Sequence, residues 1–245
     1  MWDGRSLADA ARTHIENREE FKWMDPYLSQ LPPNSRILDG GCGLGEWTLY
    51  YTARGFETVG LDLSRATIER LKSRFPNHHF VVGDLRNTQF ADGCFDAYFS
   101  WGTFEHFEEG LGTCLREAQR ILKPEGHLFV SVPFHNGRHR RADRRELWQL
   151  DKNYDKEKGY KSLLRFYQWR LTKYELQREL ELNGFRPLKV QPIHKLEGIH
   201  RMVEHDVGIP RTSPLHKVAV ALFYPFVSTN YVGHMILGIG RRSAA

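Results

Sequence analysis

The stretch RILDGGCGLGEWTLYYTARGFETVGLDLS, residues 36–64, decides the fold class. A short apolar run ends at Asp39, a glycine-rich turn follows, and after a helical stretch a second apolar run ends at Asp62. The glycines of the turn are Gly40, Gly41, Gly43 and Gly45. A strand, a turn, a helix and a second strand in this order predict a βαβ unit and therefore a parallel sheet.

The same alternation continues along the chain. Strands are predicted at 36–39, 57–62, 79–84, 95–101 and 126–133, with helices near 45–54, 65–74 and 108–122 between them. Thr172 and Glu175 form a T-x-x-E capping box that predicts a helix over 173–183. Two further strands are expected at 185–193 and 233–242. We therefore expect an α/β fold: a Rossmann-like, doubly wound, mostly parallel seven-stranded sheet with an antiparallel last strand and a helical lid insertion.

A chain of 245 residues is short enough to form a single domain, 1–245. Within it we expect an N-terminal helical arm over 1–30, with a helix from about 6 to 23 and Trp2 folding over the ligand pocket. Residues 134–170 break the strand pattern and are predicted to form a basic and aromatic lid, and residues 194–231 a second, irregular insertion.

The predicted lid concentrates the positive charge of the chain. It contains eleven basic and five acidic residues, whereas the whole chain has a formal net charge of +5. The rest of the chain is therefore close to neutral, and either an anionic partner or a solvated surface helix accounts for the lid. Its aromatic residues are Trp148, Tyr154, Tyr160, Phe166, Tyr167 and Trp169.

Two features bear on location. The three cysteines, Cys42, Cys94 and Cys114, are scattered, and the N-terminus is polar without an apolar core, so a cytoplasmic protein is expected. The apolar C-terminal segment is interrupted by Pro225 and is too short to span a bilayer. A short amphipathic helix followed by a buried strand is the preferred interpretation, and peripheral contact with lipid is the alternative.

The glycine turn predicts a nucleotide-type site, because bare backbone lets a ligand approach closely and the helix that follows offers unpaired N–H groups. Asp62, at the end of the second strand, is placed to accept hydrogen bonds from a ribose diol. The spacing is G-x-G-x-G, not the G-x-G-x-x-G of dinucleotide enzymes. Asp39 would repel a pyrophosphate and suits a cationic cofactor, which favours S-adenosylmethionine over NAD.

These motifs resemble those of class I S-adenosylmethionine-dependent methyltransferases, and in particular the type-11 small-molecule group. ILDGGCGLG resembles the glycine motif, VGLDLS the ribose-binding acid, and VVGDLRNTQFADGCFDAYFSWGTFEHF the adenine-binding acid and fourth strand. LREAQRILKPEGHLFVSVP resembles the following helix and fifth strand. The resemblance is close over residues 31–133.

The resemblance implies a role for each matching residue. Those at the methionine half of the cofactor would be Asp39, Gly41, Gly43 and Gly45. Asp62 would bind the ribose and Leu63 would contact the adenine. Asp84 would accept from the adenine amino group, or cap its loop, and Leu85 would cover the ring. Ser100 and Trp101 would lie beneath the methyl donor. Gly40 departs from the family, which usually has a larger apolar residue there, and is expected to loosen the loop.

The acceptor chemistry is less constrained. SWGTF at the end of the fourth strand differs from the motif of amino-methylating nucleic-acid enzymes, no cysteine is placed as a nucleophile, and Glu105 alone does not make a metal site. If a proton must be removed, His106 is the first candidate base, although packing is an equally good explanation for it. His135 is the rival, His139 a weaker one, and Glu105 is expected to orient a neighbour.

We therefore predict methyl transfer from S-adenosylmethionine to a small-molecule or glycan-type acceptor. An anionic acceptor, sugar- or lipid-linked, would suit the lid, with oxygen the first and nitrogen the second choice of acceptor atom. The alternatives are an RNA methyltransferase, a nicotinamide oxidoreductase, and a catalytically silent cofactor-binding partner protein.

Overall fold

The structure is a computed structural model that describes residues 12–144, 154–155, 159–160 and 167–243. Trp2, Trp148, Phe166 and most of the basic residues of the predicted lid lie outside the described residues, so the predictions about them stay open. The lid is described at its two ends and in one pair of short strands.

Seven strands form one sheet in the order β3-β2-β1-β4-β5-β9-β8. The strands in chain order are β1 Arg36–Gly40, β2 Glu57–Asp62, β3 His79–Val82, β4 Phe95–Trp101, β5 Leu122–Pro133, β6 Tyr154–Asp155, β7 Gly159–Tyr160, β8 Phe185–Ile193 and β9 Met235–Arg242. The first five are parallel, and β9 runs antiparallel to both β5 and β8. Strands β6 and β7 pair separately. The predicted seven-stranded sheet with its antiparallel last strand is confirmed.

Helices connect the strands and cover the sheet. They are α1 Glu19–Leu28, α2 Glu46–Ala53, α3 Arg65–Arg74, α4 Gly112–Ile121, α5 Gly137–Arg144, α6 Lys173–Leu182, α7 Lys195–His205, α8 Pro214–Phe223 and α9 Thr229–Val232, with a 3-10 helix at Phe104–His106. The predicted capping box is present, since Thr172 and Glu175 satisfy each other's backbone N–H groups. Ser64 caps α3 through the backbone N–H of Thr67.

Consecutive residues of the central strands point into two separate cores. Leu38 and Tyr98 pack with α4 and α6, whereas Ile37, Ala97 and Phe99 pack with α1 and α2. Because side chains alternate along a strand, helices therefore cover both faces, which is the doubly wound arrangement. Both cores are made of buried side chains.

One end of the sheet collects the loops that matter for function. The parallel strands β1 to β5 finish there, and β8 finishes there too, because Ile193 and Pro133 both pair with Met235, the first residue of β9. We call this the carboxyl end of the sheet. Ligands of open parallel sheets bind at this end, where the chain leaves the strands. The glycine loop, the predicted lid and the segment 194–234 all start from it.

Two predicted elements differ in the structure. The single helix expected from about 6 to 23 is interrupted at Asn17 and Arg18, because the backbone of Arg18 is extended (φ −70, ψ 143). Its side chain instead donates to Glu46 at 3.1 Å, which holds the arm against the first turn of α2. The segment 194–231 is not irregular as predicted: it folds into α7, α8 and α9, of which α8 corresponds to the short amphipathic helix expected in the apolar C-terminal segment.

Candidate active site

The glycine loop between β1 and α2 contains three residues whose backbone conformation favours glycine. Gly41, Gly43 and Gly45 have φ of 76, 50 and 74. The N–H of Gly41 donates to the carbonyl of Leu61 at 2.8 Å. A Cβ on Gly41 would lie 2.4 Å from the Thr103 hydroxyl, whereas one on Gly43 would meet nothing within 4 Å. The loop is therefore packed tightly at Gly41 and open at Gly43.

Gly40 does not loosen the loop as predicted. A Cβ at this position would lie 2.4 Å from the ring of Tyr98, which fills the space on that side. Tyr98 is itself fully buried in the core. The departure from the family pattern is thus compensated by a large side chain on the neighbouring strand β4.

Asp62 holds the glycine loop from the end of β2. Its Oδ2 accepts from the N–H of Gly43 at 3.0 Å, and its Oδ1 accepts from the N–H of Ser64 at 2.9 Å. Each carboxylate oxygen has a second lone pair, so both can still accept from a ligand hydroxyl. Next to it, the side chain of Leu63 is 66% exposed.

Asp39 lies under the loop and is buried. Its Oδ2 accepts from the hydroxyl of Thr48 at 2.7 Å and from the backbone N–H of Thr48 at 3.1 Å. Burial and, to a smaller extent, the charge of Asp62 raise the pKa of Asp39 to about 7, against the opposing effect of the Thr48 hydrogen bonds. A buried carboxyl of this kind gains from a nearby cation, because the cation favours its ionised form.

Asp84 caps the turn after β3. Its two carboxylate oxygens are bound by the guanidinium of Arg86, with a shortest distance of 2.7 Å, and Arg86 also reaches Glu109 at 2.8 Å. The Arg86 hydrogen bond lowers the pKa of Asp84. Leu85 is buried in the core and does not face open space. Capping of the loop is thus observed, and the adenine contacts of Asp84 and Leu85 stay predictions.

Ser100 and Trp101 end β4 beside the glycine loop. The Ser100 hydroxyl donates to the carbonyl of Gly40 at 2.7 Å, which fixes the loop to the neighbouring strand. The Trp101 ring packs against Trp47 and Phe99, with ring centroids 5.6 and 5.7 Å away. Its indole N–H is buried without a hydrogen-bond partner. An unpaired buried donor is costly, so it offers a hydrogen bond to a ligand.

His106 and Glu105 follow β4 in the 3-10 helix. Nδ1 of His106 lies 2.9 Å from the carbonyl oxygen of Tyr167. Because a carbonyl only accepts, Nδ1 is the donor, and the neutral ring then carries its lone pair on Nε2. Glu105 is 2% exposed, and its Oε2 has no partner. Burial raises the pKa of Glu105 to about 7.

Glu105 is therefore a candidate for the group that accepts a proton, and not only for a residue that orients a neighbour. Catalytic acids and bases are often buried carboxyls whose pKa lies near neutral pH. The available sequence signal was its position, since it is the only acid between the aromatic residues Trp101 and Phe107 and follows directly after β4.

Residues 167–171 form a short strip of chain that contacts both candidate histidines, His106 and His135. Near its start lies the His106 ring, and the N–H of Trp169 donates to the carbonyl of Glu105 at 2.9 Å. At its other end, the N–H of His135 donates to the carbonyl of Leu171 at 2.9 Å. The loops after β4 and β5 are thus tied together through this strip. His139 lies next to His135, with ring centroids 6.3 Å apart.

Arginines lie near two half-buried histidines on this side of the carboxyl end. The pKa of His139 is lowered to about 4 by burial and then by Arg170 and Arg138. The pKa of His234 is also lowered to about 4, by burial and then by Arg201. Both rings are therefore neutral at pH 7, and His139 donates from Nδ1 to the carbonyl of Phe134 at 3.2 Å.

Residues 38–130 match a family model described as a methyltransferase domain. Over these residues the chain is similar to methyltransferase domains. The match runs from within β1 to within β5 and includes the glycine loop and both acids beneath it. The resemblance of the sequence motifs is thereby confirmed.

Relatives of this methyltransferase domain have several activities. A malonyl-(acyl-carrier protein) O-methyltransferase from Erwinia pyrifoliae is 31% identical over 126 residues, which is 50% of this chain and 48% of that protein. A 2-methyl-6-phytyl-1,4-hydroquinone methyltransferase from Synechocystis is 31% identical over 108 residues, which is 42% of this chain and 34% of that protein. The chain spans about half the length of the curated relatives it matches.

The fold extends over the whole described chain. A geranyl diphosphate C-methyltransferase from Streptomyces coelicolor, solved with S-adenosyl-L-homocysteine, aligns with a TM-score of 0.59 and 17% identity over 97% of this chain and 80% of that one. At this identity the likeness shows the fold alone.

The residues present fit S-adenosylmethionine. The open backbone at Gly43 leaves room for a ligand, the buried carboxyl of Asp39 favours a positive charge, and the indole N–H of Trp101 lacks a partner. Within the described part of the chain, no three metal-ligating side chains are grouped to hold an ion, and no helix is long and apolar enough to cross a membrane.

The cysteines are reduced and buried or partly buried. Burial, together with Asp39 and Asp62, raises the pKa of Cys42, which keeps its thiol protonated at the glycine loop. A protonated thiol is a poor nucleophile.

Proposed function

We propose that the protein transfers the methyl group of S-adenosylmethionine to an oxygen atom of a small-molecule or glycan-type acceptor that carries a negative charge. The observation that carries the transfer is the cofactor loop, in which the open backbone of Gly43 stands between the acids Asp39 and Asp62. This arrangement suits the charge and the ribose of the methyl donor and gives no support for a pyrophosphate.

In this proposal the cofactor lies along the carboxyl end of the sheet. Asp62 accepts from the ribose hydroxyls while it keeps Gly43 in place, and the exposed Leu63 lies against the adenine. Asp39 and the glycines receive the methionine half, and Ser100 and Trp101 lie beneath the methyl group. The cofactor supplies the methyl group on a sulfonium, and the protein must align the acceptor oxygen with it.

A hydroxyl acceptor must also lose its proton. His106 can receive it on Nε2, because Nδ1 is held by the Tyr167 carbonyl. His135 and Glu105 are the other candidates, and the backbones of both are hydrogen-bonded to the same strip, residues 167–171. Glu105 is supported by its unpaired oxygen and raised pKa, which make it a proton acceptor near neutral pH.

The charge of the acceptor is inferred from the arginines around the end of β5. Arg170 contributes, after burial, to lowering the pKa of both His139 and His234, so its positive charge acts on both rings. A carboxylate or phosphate would be attracted to this position. The name of the Erwinia relative, an O-methyltransferase, supports an oxygen acceptor for the proposal.

The first test uses methyl-labelled S-adenosylmethionine with the purified protein and a crude cell extract. Label in nuclease-resistant material that binds an anion-exchange resin is the expected result. Nuclease-sensitive label would instead identify an RNA methyltransferase. If no label is transferred although calorimetry shows S-adenosylhomocysteine binding, the protein is a silent partner; binding of NAD in its place would identify an oxidoreductase.

The second test assigns the proton acceptor. His106→Ala, His135→Ala and Glu105→Gln are compared once an acceptor is known, with His205→Ala as the control because His205 is exposed on α7. Loss of a general base lowers kcat by about 10²–10⁴-fold and removes one arm of its pH profile. If all three variants keep the wild-type kcat, transfer depends on positioning alone.

A further inference from the structure

Helix α8 and the turn that follows it expose a row of apolar side chains. Their exposed fractions are 65% for Leu215, 56% for Val218, 66% for Leu222, 46% for Tyr224 and 87% for Phe226. Single exposed apolar residues are normal, but a contiguous group marks a surface that binds something. We call these five residues the α8 face.

Helix α8 has two apolar sides. One side packs against α7, and the other belongs to the α8 face. His216 and Val220 are buried, and Val220 packs with Ile199 and Val203 of α7. Leu215, Val218 and Leu222 are spaced by three and four residues, so they share the side turned away from α7. A surface helix normally turns polar residues to that side.

The charged side chains of the segment that carries the α8 face are all basic. No Asp or Glu occurs in residues 207–245. The acids of α7 are bound by arginines: Arg211 reaches Glu197 at 2.7 Å and Glu204 at 3.0 Å. Asp206, directly after α7, is bound by Arg138 at 2.8 Å.

Two lysines lie beside the α8 face. Lys217 is exposed on α8, and the ammonium of Lys195 lies 4.4 Å from the ring centroid of Tyr224. An apolar and aromatic surface with lysines beside it complements a layer that is anionic outside and apolar beneath.

The α8 face stands at the same end of the molecule as the cofactor loop. Its helix lies between the last residue of β8 and the first residue of β9, both at the carboxyl end of the sheet. The amide of Asn136, just after β5, donates to the carbonyl of Gly233 at 3.0 Å, which ties this segment to the side that bears His135.

We propose that the α8 face docks on the surface of a bilayer that contains anionic lipids. The ten-residue helix α8 lies in the plane of the interface, with Leu215, Val218 and Leu222 inserted among the lipid chains. Tyr224 and Phe226 insert beside it, and Lys217 contacts the headgroups. Docking turns the carboxyl end of the sheet towards the bilayer and is independent of which acceptor is methylated.

Vesicle sedimentation tests the proposal directly. The full chain is mixed with vesicles of phosphatidylglycerol and phosphatidylcholine, or of phosphatidylcholine alone, at low and high salt. Partition onto the anionic vesicles that weakens with salt is expected. Leu222→Glu and Phe226→Glu each lower that partition about tenfold or more, because a charge replaces an inserted apolar group. Lys217→Gln lowers it about fivefold at low salt.

Leu182→Glu is the matched control. Leu182 is 67% exposed on α6, so the same substitution is made at an equally exposed leucine on another surface. Equal vesicle binding by L182E and the wild type is expected, and all variants keep their affinity for S-adenosylhomocysteine. This readout needs no methyl acceptor, so it is independent of the proposed function.

Three outcomes would overturn the proposal. The first is a wild-type protein that does not sediment with anionic vesicles, and the second is an equal loss of vesicle binding in L182E and L222E. The third is a wild-type dimer in light scattering that L222E converts to a monomer, without vesicle binding, which would make the α8 face an interface between two copies of the chain.

Discussion

Two groups of loops leave the carboxyl end of the sheet, and they are held in different ways. In the glycine loop, many hydrogen bonds join residues that are close in sequence. Examples are the bond from the Gly45 N–H to the Cys42 carbonyl and the bond from the Gly43 N–H to Asp62, 19 residues away. In the loops after β4 and β5 they are long, with 61 residues between His106 and Tyr167 and 97 between Asn136 and Gly233. The hydrogen bonds of the glycine loop thus come mostly from residues nearby in sequence, with Ser100, 60 residues from Gly40, as an exception, whereas those quoted for the proposed acceptor side depend on the assembled fold.

The largest effect is expected at the tightest point of the local loop. Gly41→Ala places a Cβ against Thr103 at a residue with φ of 76. We expect the free energy of unfolding to fall by about 2–4 kcal/mol from the clash and the backbone strain together, with loss of cofactor binding. Thermal unfolding and calorimetry with S-adenosylhomocysteine measure the two effects.

Gly43→Ala is the control for Gly41→Ala, since its Cβ meets no atom within 4 Å. The strain alone costs about 1–2 kcal/mol, whereas the methyl group stands where the cofactor is proposed to lie. Equal destabilisation by the two variants would contradict the packing at Gly41. Partial recovery of stability in a Gly41→Ala, Thr103→Ala double variant would support it.

Glu105→Gln tests the burial of the Glu105 carboxyl, through the pH dependence of the free energy of unfolding. The folded pKa of about 7 lies above the unfolded value, so the folded protein binds the extra proton and the wild type loses stability as pH rises from about 4 to about 7. At pH 8 the variant should be more stable by about 1–3 kcal/mol, and at pH 4 the two should be alike. Equal differences at both pH values would contradict this.

Asp39 gives a proton-linked effect on cofactor binding. Its pKa of about 7 means that the carboxyl is protonated in the free protein below that pH and must ionise to interact with a cationic group. The affinity for S-adenosylhomocysteine should therefore rise by up to about tenfold per pH unit below pH 7 and level off above it. Asp39→Asn should bind with little dependence on pH, and a wild-type affinity that is flat with pH would place the cationic group elsewhere.

The smallest effect is expected in a local motif outside the site. Thr172→Ala removes the cap of α6, in which the Thr172 hydroxyl accepts from the N–H of Glu175. The free energy of unfolding should fall by about 1 kcal/mol, without a change in cofactor affinity. A loss of cofactor binding in this variant would show that α6 and the cofactor loop are more closely coupled than their positions indicate.

Most of the fold could be predicted from short patterns. Strands β2 and β4 and helix α3 begin and end at the predicted residues, because glycines, caps and apolar runs mark their ends. Of the helices in 194–231, α8 corresponds to the short amphipathic helix predicted there, whereas α7 was missed, since His194 precedes it with a φ of 59 and without a side-chain cap. The arm was predicted as one helix, since its break at the extended backbone of Arg18 has no side-chain cap that the sequence would reveal.

The sequence by itself determined the sheet, the glycine loop and the two acids beneath it, because glycine conformations and strand ends depend on neighbouring residues. Only the tertiary structure decided that Tyr98 fills the space beside Gly40, that Glu105 is buried with an unpaired oxygen, and that α8 keeps a bare apolar side. Each of these depends on which distant elements pack together. Burial and the pKa values that follow from it are properties of the assembled molecule.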